Sequence, residues 1–179
     1  MRARACLRRR GALAGTLKSM DALILFSHGS LLCGAGEALD AHAERLRRRG
    51  DFALVAVGYL NYSEPPFQQT VDELVAAGAT RIVVVPYFLV AGYFVTGSLP
   101  KCLDEARARH PNVEFVAGDA LRHDTGLADA LLDAAENARP AEHWRDPLKR
   151  AADSCRPSPQ CPLYATPACP KVPSSEVAA

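Results

Sequence analysis

Apolar runs alternate with segments of helical spacing over most of the chain. Residues 22–26 form an unbroken apolar run, "ALILF", and such runs are typical of parallel strands that are covered on both faces. Three further apolar segments predict strands, at residues 52–60, 81–90 and 113–116. Each strand is followed by apolar residues at helical spacing, which predict helices over residues 37–49, 64–78, 99–110 and 123–138.

This strand–helix alternation predicts an α/β fold, with a four-stranded parallel sheet and helices on both faces. Ligands of open parallel sheets bind beyond the carboxyl ends of the strands. We therefore expect functional residues in the loops that follow the strands, at residues 27–36, 61–65, 88–98 and 117–124.

Two of these loops hold polar residues with more than one interpretation. His28 follows the first strand directly, and it could be a metal ligand, a base, or a histidine hydrogen-bonded to backbone. Glu64 follows the second strand, where it could face the same cleft or favour the positive end of the next helix.

The other two loops differ sharply in character. Residues 87–100, "YFLVAGYFVTGSLP", are apolar and aromatic, which suits either a wall for a flat apolar ligand or a dimer contact. His123 lies in a polar loop beside Asp124 or Thr125, either of which could cap the fourth helix.

Both ends of the chain depart from this pattern, so the sequence predicts three segments: a leader, a central domain and a tail. Residues 1–19 contain six basic and no acidic residues, which predicts a disordered leader or a transit peptide, and residues 140–179 predict an irregular tail rich in proline and cysteine. Residues 20–139 are then the α/β domain.

Beyond the leader, 15 basic and 20 acidic side chains give a net charge of −5, which argues against nucleic acid as a main partner. No apolar run reaches the ~20 residues of a membrane span.

The six cysteines have no spacing that indicates a disulfide framework, and without an export signal we expect reduced thiols and a cytoplasmic protein. Three of them lie in the tail, and three thiolates could hold an iron–sulfur cluster with a fourth ligand from elsewhere; they are Cys155, Cys161 and Cys169.

In order, "LILFSHGS", "SEPP", "RIVVVPYFLVAG" and "LRHDTGL" resemble the small sirohydrochlorin chelatases of the CbiX type. The resemblance covers roughly residues 21 to 136. It implies a chelatase-like three-layer sandwich, insertion of Co²⁺ or Fe²⁺ into a tetrapyrrole for cobalamin or sirohaem biosynthesis, and a homodimer. A protein of the same fold that only binds or delivers a tetrapyrrole or a metal is the alternative.

The resemblance also implies roles for particular residues. His28 matches the family's first metal-binding histidine, and Glu64 matches an acidic residue that assists with protons or the cation. The remaining candidates would contact the tetrapyrrole: Ser30, Tyr93, Phe94, Lys101, Arg122 and His123. Related proteins carry a second histidine in a Gly-x-His-Val pattern, and here Phe94 stands at that position. Ser98 stands where an acidic residue is common.

Overall fold

A computed structural model describes residues 20–30 and 36–138, together with Tyr164. The predicted leader and nearly all of the predicted tail lie outside the described residues. Within the described part of the chain, no helix is long and apolar enough to cross a membrane.

The four strands form one parallel sheet in the order β2-β1-β3-β4. Their bounds are β1 Asp21–Ser27, β2 Leu54–Tyr59, β3 Arg81–Pro86 and β4 Glu114–Ala117. In register, Ser27 of β1 pairs with Tyr59 of β2, and Phe26 pairs with Pro86 of β3. The carboxyl ends of the three longest strands therefore meet at one edge.

Helices connect the strands, as the pattern predicts. Their bounds are α1 Glu37–Arg49, α2 Phe67–Ala76, α3 Leu99–Arg109 and α4 Thr125–Glu136. Helix α1 ends at Gly50, whose φ of 71° is left-handed and suits glycine. Asp124 is the N-cap of α4, because its side chain accepts a hydrogen bond from the Gly126 backbone N–H.

Two apolar clusters cover the two faces of the sheet. Alternate residues of β1 point to opposite sides, so that Ile24 packs in the cluster with α2 and α3, and Leu25 packs in the cluster with α1. The expected helix–sheet–helix layers are confirmed. Helix α4 contributes no buried residue, and its Leu131 and Leu132 are 70% and 63% exposed.

The sequence-based bounds of the third strand are wrong. The strand ends at Pro86 rather than at residue 90, and residues 94–98 form a π-helical turn that leads into α3. The last ladder bond runs from the Tyr87 backbone N–H to the Phe26 carbonyl. Beyond this point β1 ends and turns away at Gly29, so the apolar run has no partner strand.

Candidate functional site

His28 lies immediately beyond β1, where the hydrogen bonding between β1 and β2 continues for two more residues. The carbonyl of Ser27 accepts from the Leu60 backbone N–H and that of His28 accepts from the Asn61 N–H, both at 2.9 Å. The backbone of His28 is therefore fixed by the sheet, and its side chain is half-buried.

Gly29 and Ser30 attach this loop to the loop after β2. Gly29 has a φ of 84°, and a Cβ at this position would lie 1.8 Å from the Asn61 carbonyl oxygen, so only glycine fits. The Ser30 backbone N–H donates to Ser63 Oγ at 3.0 Å, and Ser63 Oγ donates to the Ser30 carbonyl at 3.3 Å. We call this pair of hydrogen bonds between Ser30 and Ser63 the clip. Glu64 follows Ser63 directly, so the clip brings the His28 and Glu64 loops together.

A hydrogen bond to backbone selects the tautomer of His28. Nδ1 lies 3.1 Å from the Gly29 carbonyl oxygen, which can only accept, so the proton of a neutral ring is on Nδ1. Nε2 then carries the lone pair. This nitrogen can ligate a metal or accept a proton, and those are the two chemical roles that the sequence suggests.

Two aromatic rings flank the imidazole. The Tyr62 ring meets it edge-on at a centroid distance of 5.4 Å, and the Phe94 ring lies at 4.2 Å with a tilt of 43°. Edge-to-face ring pairs at about 5 Å are favourable, and the Phe94 ring packs against the imidazole at closer range. The two contacts restrict rotation of the His28 side chain.

Beyond the carboxyl ends of the strands lies an apolar wall, by which we mean Leu89, Val90, Tyr93 and Phe94. These side chains are between 37% and 69% exposed. A concentration of exposed apolar side chains is uncommon on a protein surface without a binding role. Such a wall suits a flat, largely apolar ligand.

The π-helical turn determines which way Phe94 points. The Leu99 backbone N–H donates to the Phe94 carbonyl, five residues earlier, and the turn continues into α3, which is anchored by the buried Leu99. Such wide turns are rare in proteins, but those that occur are often found at functional sites. Here the turn presents Phe94 to His28.

The loop after β4 is a separate, polar part of the same edge. Arg122 donates to Asp119 Oδ2 at 2.8 Å; this bond, helped by the Ala120 backbone N–H, lowers the pKa of the Asp119 carboxyl below its ordinary 3.8. This loop, which includes His123 and Asp124, lines an open depression of about 270 Å³.

The predicted site residues fall into two groups. His28, Tyr93 and Phe94 form one set of ring contacts, and Ser30 belongs to the clip beside them. The others lie elsewhere: Glu64 and Lys101 are exposed, and Arg122 and His123 lie in the polar loop after β4.

Sequence reasoning missed Tyr62 and Ser63. Ser63 completes the clip and Tyr62 covers one side of His28. The available signal was an aromatic residue within the turn-forming segment "NYSEPP", because a large ring is uncommon among such residues.

Among the described residues, no group of three or more His, Cys, Asp or Glu side chains could hold a metal ion. The tail residues predicted to bind a cluster, Cys155, Cys161 and Cys169, lie outside the part of the chain that the structure describes.

The CbiX family model matches residues 22–138, the segment that contains the site and all of the sheet except its first residue, Asp21. The chain belongs to the CbiX family. This finding confirms the resemblance carried by the four sequence motifs.

Two curated relatives are named sirohydrochlorin cobaltochelatase. The protein of Methanocaldococcus jannaschii is 38% identical over 91 residues, which are 51% of this chain and 64% of that protein. The protein of Sulfolobus acidocaldarius is 31% identical over 123 residues, 69% of this chain and 96% of that protein. The chain thus spans just under two thirds of the first relative and nearly all of the second.

A solved structure supports the fold. The sirohydrochlorin chelatase SirB from Bacillus subtilis subspecies spizizenii, in complex with cobalt, superimposes with a TM-score of 0.62 at 20% identity, over 75% of this chain and 61% of that protein. At this identity the likeness is one of chain topology. The chelatase-like fold that the sequence predicts is confirmed.

Proposed function

We propose that this CbiX protein is a sirohydrochlorin chelatase that inserts Co²⁺ or Fe²⁺ into a tetrapyrrole for cobalamin or sirohaem biosynthesis. The observation that carries the proposal is the imidazole of His28, held with its Nε2 lone pair beside an apolar wall. The wall suits a flat macrocycle, and the lone pair suits the reacting centre.

Metal insertion removes two pyrrole N–H protons and exchanges water on the metal for ring nitrogens. A neutral imidazole can accept one proton or hold the metal, but its one lone pair does not serve both at once. Glu64, in the loop clipped to the His28 loop, is proposed to take the second proton or guide the cation.

The remaining candidates are proposed to hold the tetrapyrrole. Ser30, Tyr93 and Phe94 lie in the loops around His28 and would contact the macrocycle. Lys101, Arg122 and His123 would contact its carboxylates, since charged N–H donors bind carboxylates strongly. Arg122 already bonds Asp119 and would have to exchange that partner.

The test is metal insertion with purified protein, sirohydrochlorin and Co²⁺ or Fe²⁺, followed by the absorbance change of the macrocycle. We expect His28→Ala to lose at least about 100-fold in rate, because a positioned base contributes about 10²–10⁴-fold. His42→Ala is the matched control, because it also removes an imidazole that packs on an aromatic ring, in this case the ring of Tyr87. Equal rates for wild type and His28→Ala would show that the assigned role is wrong.

A second candidate function is binding or delivery of a tetrapyrrole or metal without catalysis. The Phe94 ring, 4.2 Å from His28, favours it, because phenylalanine brings no ligand to the position where the resemblance implies a second histidine. Tight binding of sirohydrochlorin with insertion no faster than the spontaneous reaction would select this candidate.

We propose further that residues 20–139 are the functional domain, and that it acts in the cytoplasm with a tetrapyrrole and a second copy of the chain as partners. Nucleic acid and membranes are not among the proposed partners. The exposed leucines of α4 and the apolar wall are the surfaces that suit a homodimer. Sedimentation at several protein concentrations tests the dimer.

An iron–sulfur cluster on Cys155, Cys161 and Cys169 stays a separate proposal about the tail. Purification without oxygen, followed by iron analysis and a visible spectrum, tests it. Colourless protein without iron would remove it.

A further inference from the structure

Tyr62 has a backbone conformation that its side chain does not favour. Its φ is 60°, and it is the one described residue other than glycine with a positive φ. The left-handed region costs an L-residue roughly 1–2 kcal/mol, and a bulky residue there is a genuine outlier. Glycine or asparagine would adopt this turn more easily.

The surroundings of Tyr62 show why the conformation persists. The preceding residue, Asn61, is bonded to the His28 carbonyl, and the following residue, Ser63, is bonded to Ser30. The loop is thus fixed on both sides of residue 62. The ring gains little from burial, since Tyr62 is 50% exposed, yet it contacts the His28 imidazole.

We propose that Tyr62 is a positioning residue of the site: with Phe94, its ring fixes the orientation of the His28 imidazole toward the macrocycle. Strained residues that the surrounding structure over-determines cluster at active sites. The inference rests on the proposed function for its kinetic test, but its structural test is independent of activity.

The edge-to-face contact requires a ring but no hydroxyl group. We therefore expect Tyr62→Phe to keep kcat within about twofold of wild type, and Tyr62→Ala and Tyr62→Gly each to lower kcat about tenfold with KM for the tetrapyrrole unchanged within twofold. A tenfold change is a modest share of the contribution of a general base. A raised KM with unchanged kcat would make Tyr62 a substrate contact instead and overturn the proposal.

Glycine and alanine separate the ring from the fold. Both remove the ring, but glycine tolerates the left-handed backbone, so we expect Tyr62→Gly to melt at a higher temperature than Tyr62→Ala by about 2–5 °C. Equal loss of kcat in the two variants would support positioning. Recovery of the wild-type kcat by Tyr62→Gly would show that the rate follows stability and would overturn it.

A measurement without substrate completes the test. The NMR order parameter of the His28 ring should fall in Tyr62→Ala and Tyr62→Gly and stay unchanged in Tyr62→Phe. Tyr87→Ala is the control, because it removes an equally aromatic side chain that packs on His42. If wild type does not insert metal, the proposed function fails while this readout still decides the positioning role. An unchanged order parameter in all variants would overturn that role.

Discussion

The two ends of the sheet are built on opposite principles. At the amino end, the first residues of three strands pair with one another: Arg81 lies 2.9 Å from Asp21 Oδ2 and 3.4 Å from a Glu114 oxygen. At the carboxyl end, His28 lies against aromatic rings and presents a lone-pair nitrogen. Charged side chains are paired with one another at the amino end, and a nitrogen that can bind a metal or a proton is presented at the carboxyl end.

The difference shows where each kind of residue belongs in such a fold. Asp21 and Arg81 are register partners, so their ion pair reinforces strand pairing. Tyr62 and the exposed wall add little to the packing of the core, and the left-handed backbone of Tyr62 lowers the stability of the fold. The charged side chains of the amino end are thus expected to contribute to stability, and the side chains around His28 at the carboxyl end are expected to contribute to chemistry.

Gly29→Ala is the substitution with the largest expected effect, because at this residue the carboxyl end also depends on packing. A Cβ would lie 1.8 Å from the Asn61 carbonyl oxygen, at a φ of 84°. We expect a loss of about 3 kcal/mol or more in the free energy of unfolding, measured by denaturant titration.

Gly92→Ala is the matched control in the same edge of the molecule. Nothing lies within 4 Å of a Cβ at Gly92, so its free energy of unfolding should change by no more than about 0.5 kcal/mol. If Gly29→Ala cost no more than Gly92→Ala, the close contact between Gly29 and the Asn61 carbonyl would not hold in solution.

Asp21→Asn tests the amino end. Asp21 is 1% exposed, and its carboxylate receives a charge-assisted bond from Arg81. Removing the charge should lower the free energy of unfolding by about 2 kcal/mol and leave the rate of the proposed metal insertion by the folded protein unchanged.

Glu114→Gln is the control for that substitution. Glu114 contacts the same arginine, but its side chain is 64% exposed, so we expect a change below about 0.5 kcal/mol. If the two substitutions were equally harmful, burial would not be what makes the amino end important.

The smallest expected effect concerns an ion pair between α2 and the end of α3. Hydrogen bonds from His110 and Arg109 lower the pKa of the Asp72 carboxyl below its ordinary value of 3.8. A depressed folded-state pKa stabilises the fold above pH 3.8, and the stabilisation is lost as the pH falls through the folded-state value.

Because Asp72 is 47% exposed, the contribution should be below about 1 kcal/mol. Denaturant titrations between pH 5 and pH 2 should show a shallower loss of stability for Asp72→Asn than for wild type. Parallel curves would show that this pair contributes nothing to acid sensitivity. Asp104→Asn is the control on α3, because the Asp104 side chain is 75% exposed and pairs with Arg107 of its own helix.

The fold could be predicted from the sequence because the buried strands and the helical spacing repeat over many residues. The position of His28 followed from the same pattern, since strand ends are marked by the change from "ALILF" to "SHGS". Tyr62 could not be predicted, because its role depends on a loop conformation set by bonds between Asn61 and His28 and between Ser63 and Ser30. The π-helical turn at Phe94 was missed for a related reason, since apolar loop residues do not reveal their backbone geometry.

Because of that turn, the side chain that lies beside His28 depends on the number of residues between Phe94 and α3. Each residue of a regular helix advances the chain by about 100°, and α3 is anchored downstream of the turn by Leu99 and Leu103. Deleting one residue between positions 95 and 98 would close the turn into an ordinary helix and rotate everything before it by about that angle. Phe94 would then leave His28 and another side chain would replace it, so a change in chain length alone could reassign a neighbour of the imidazole.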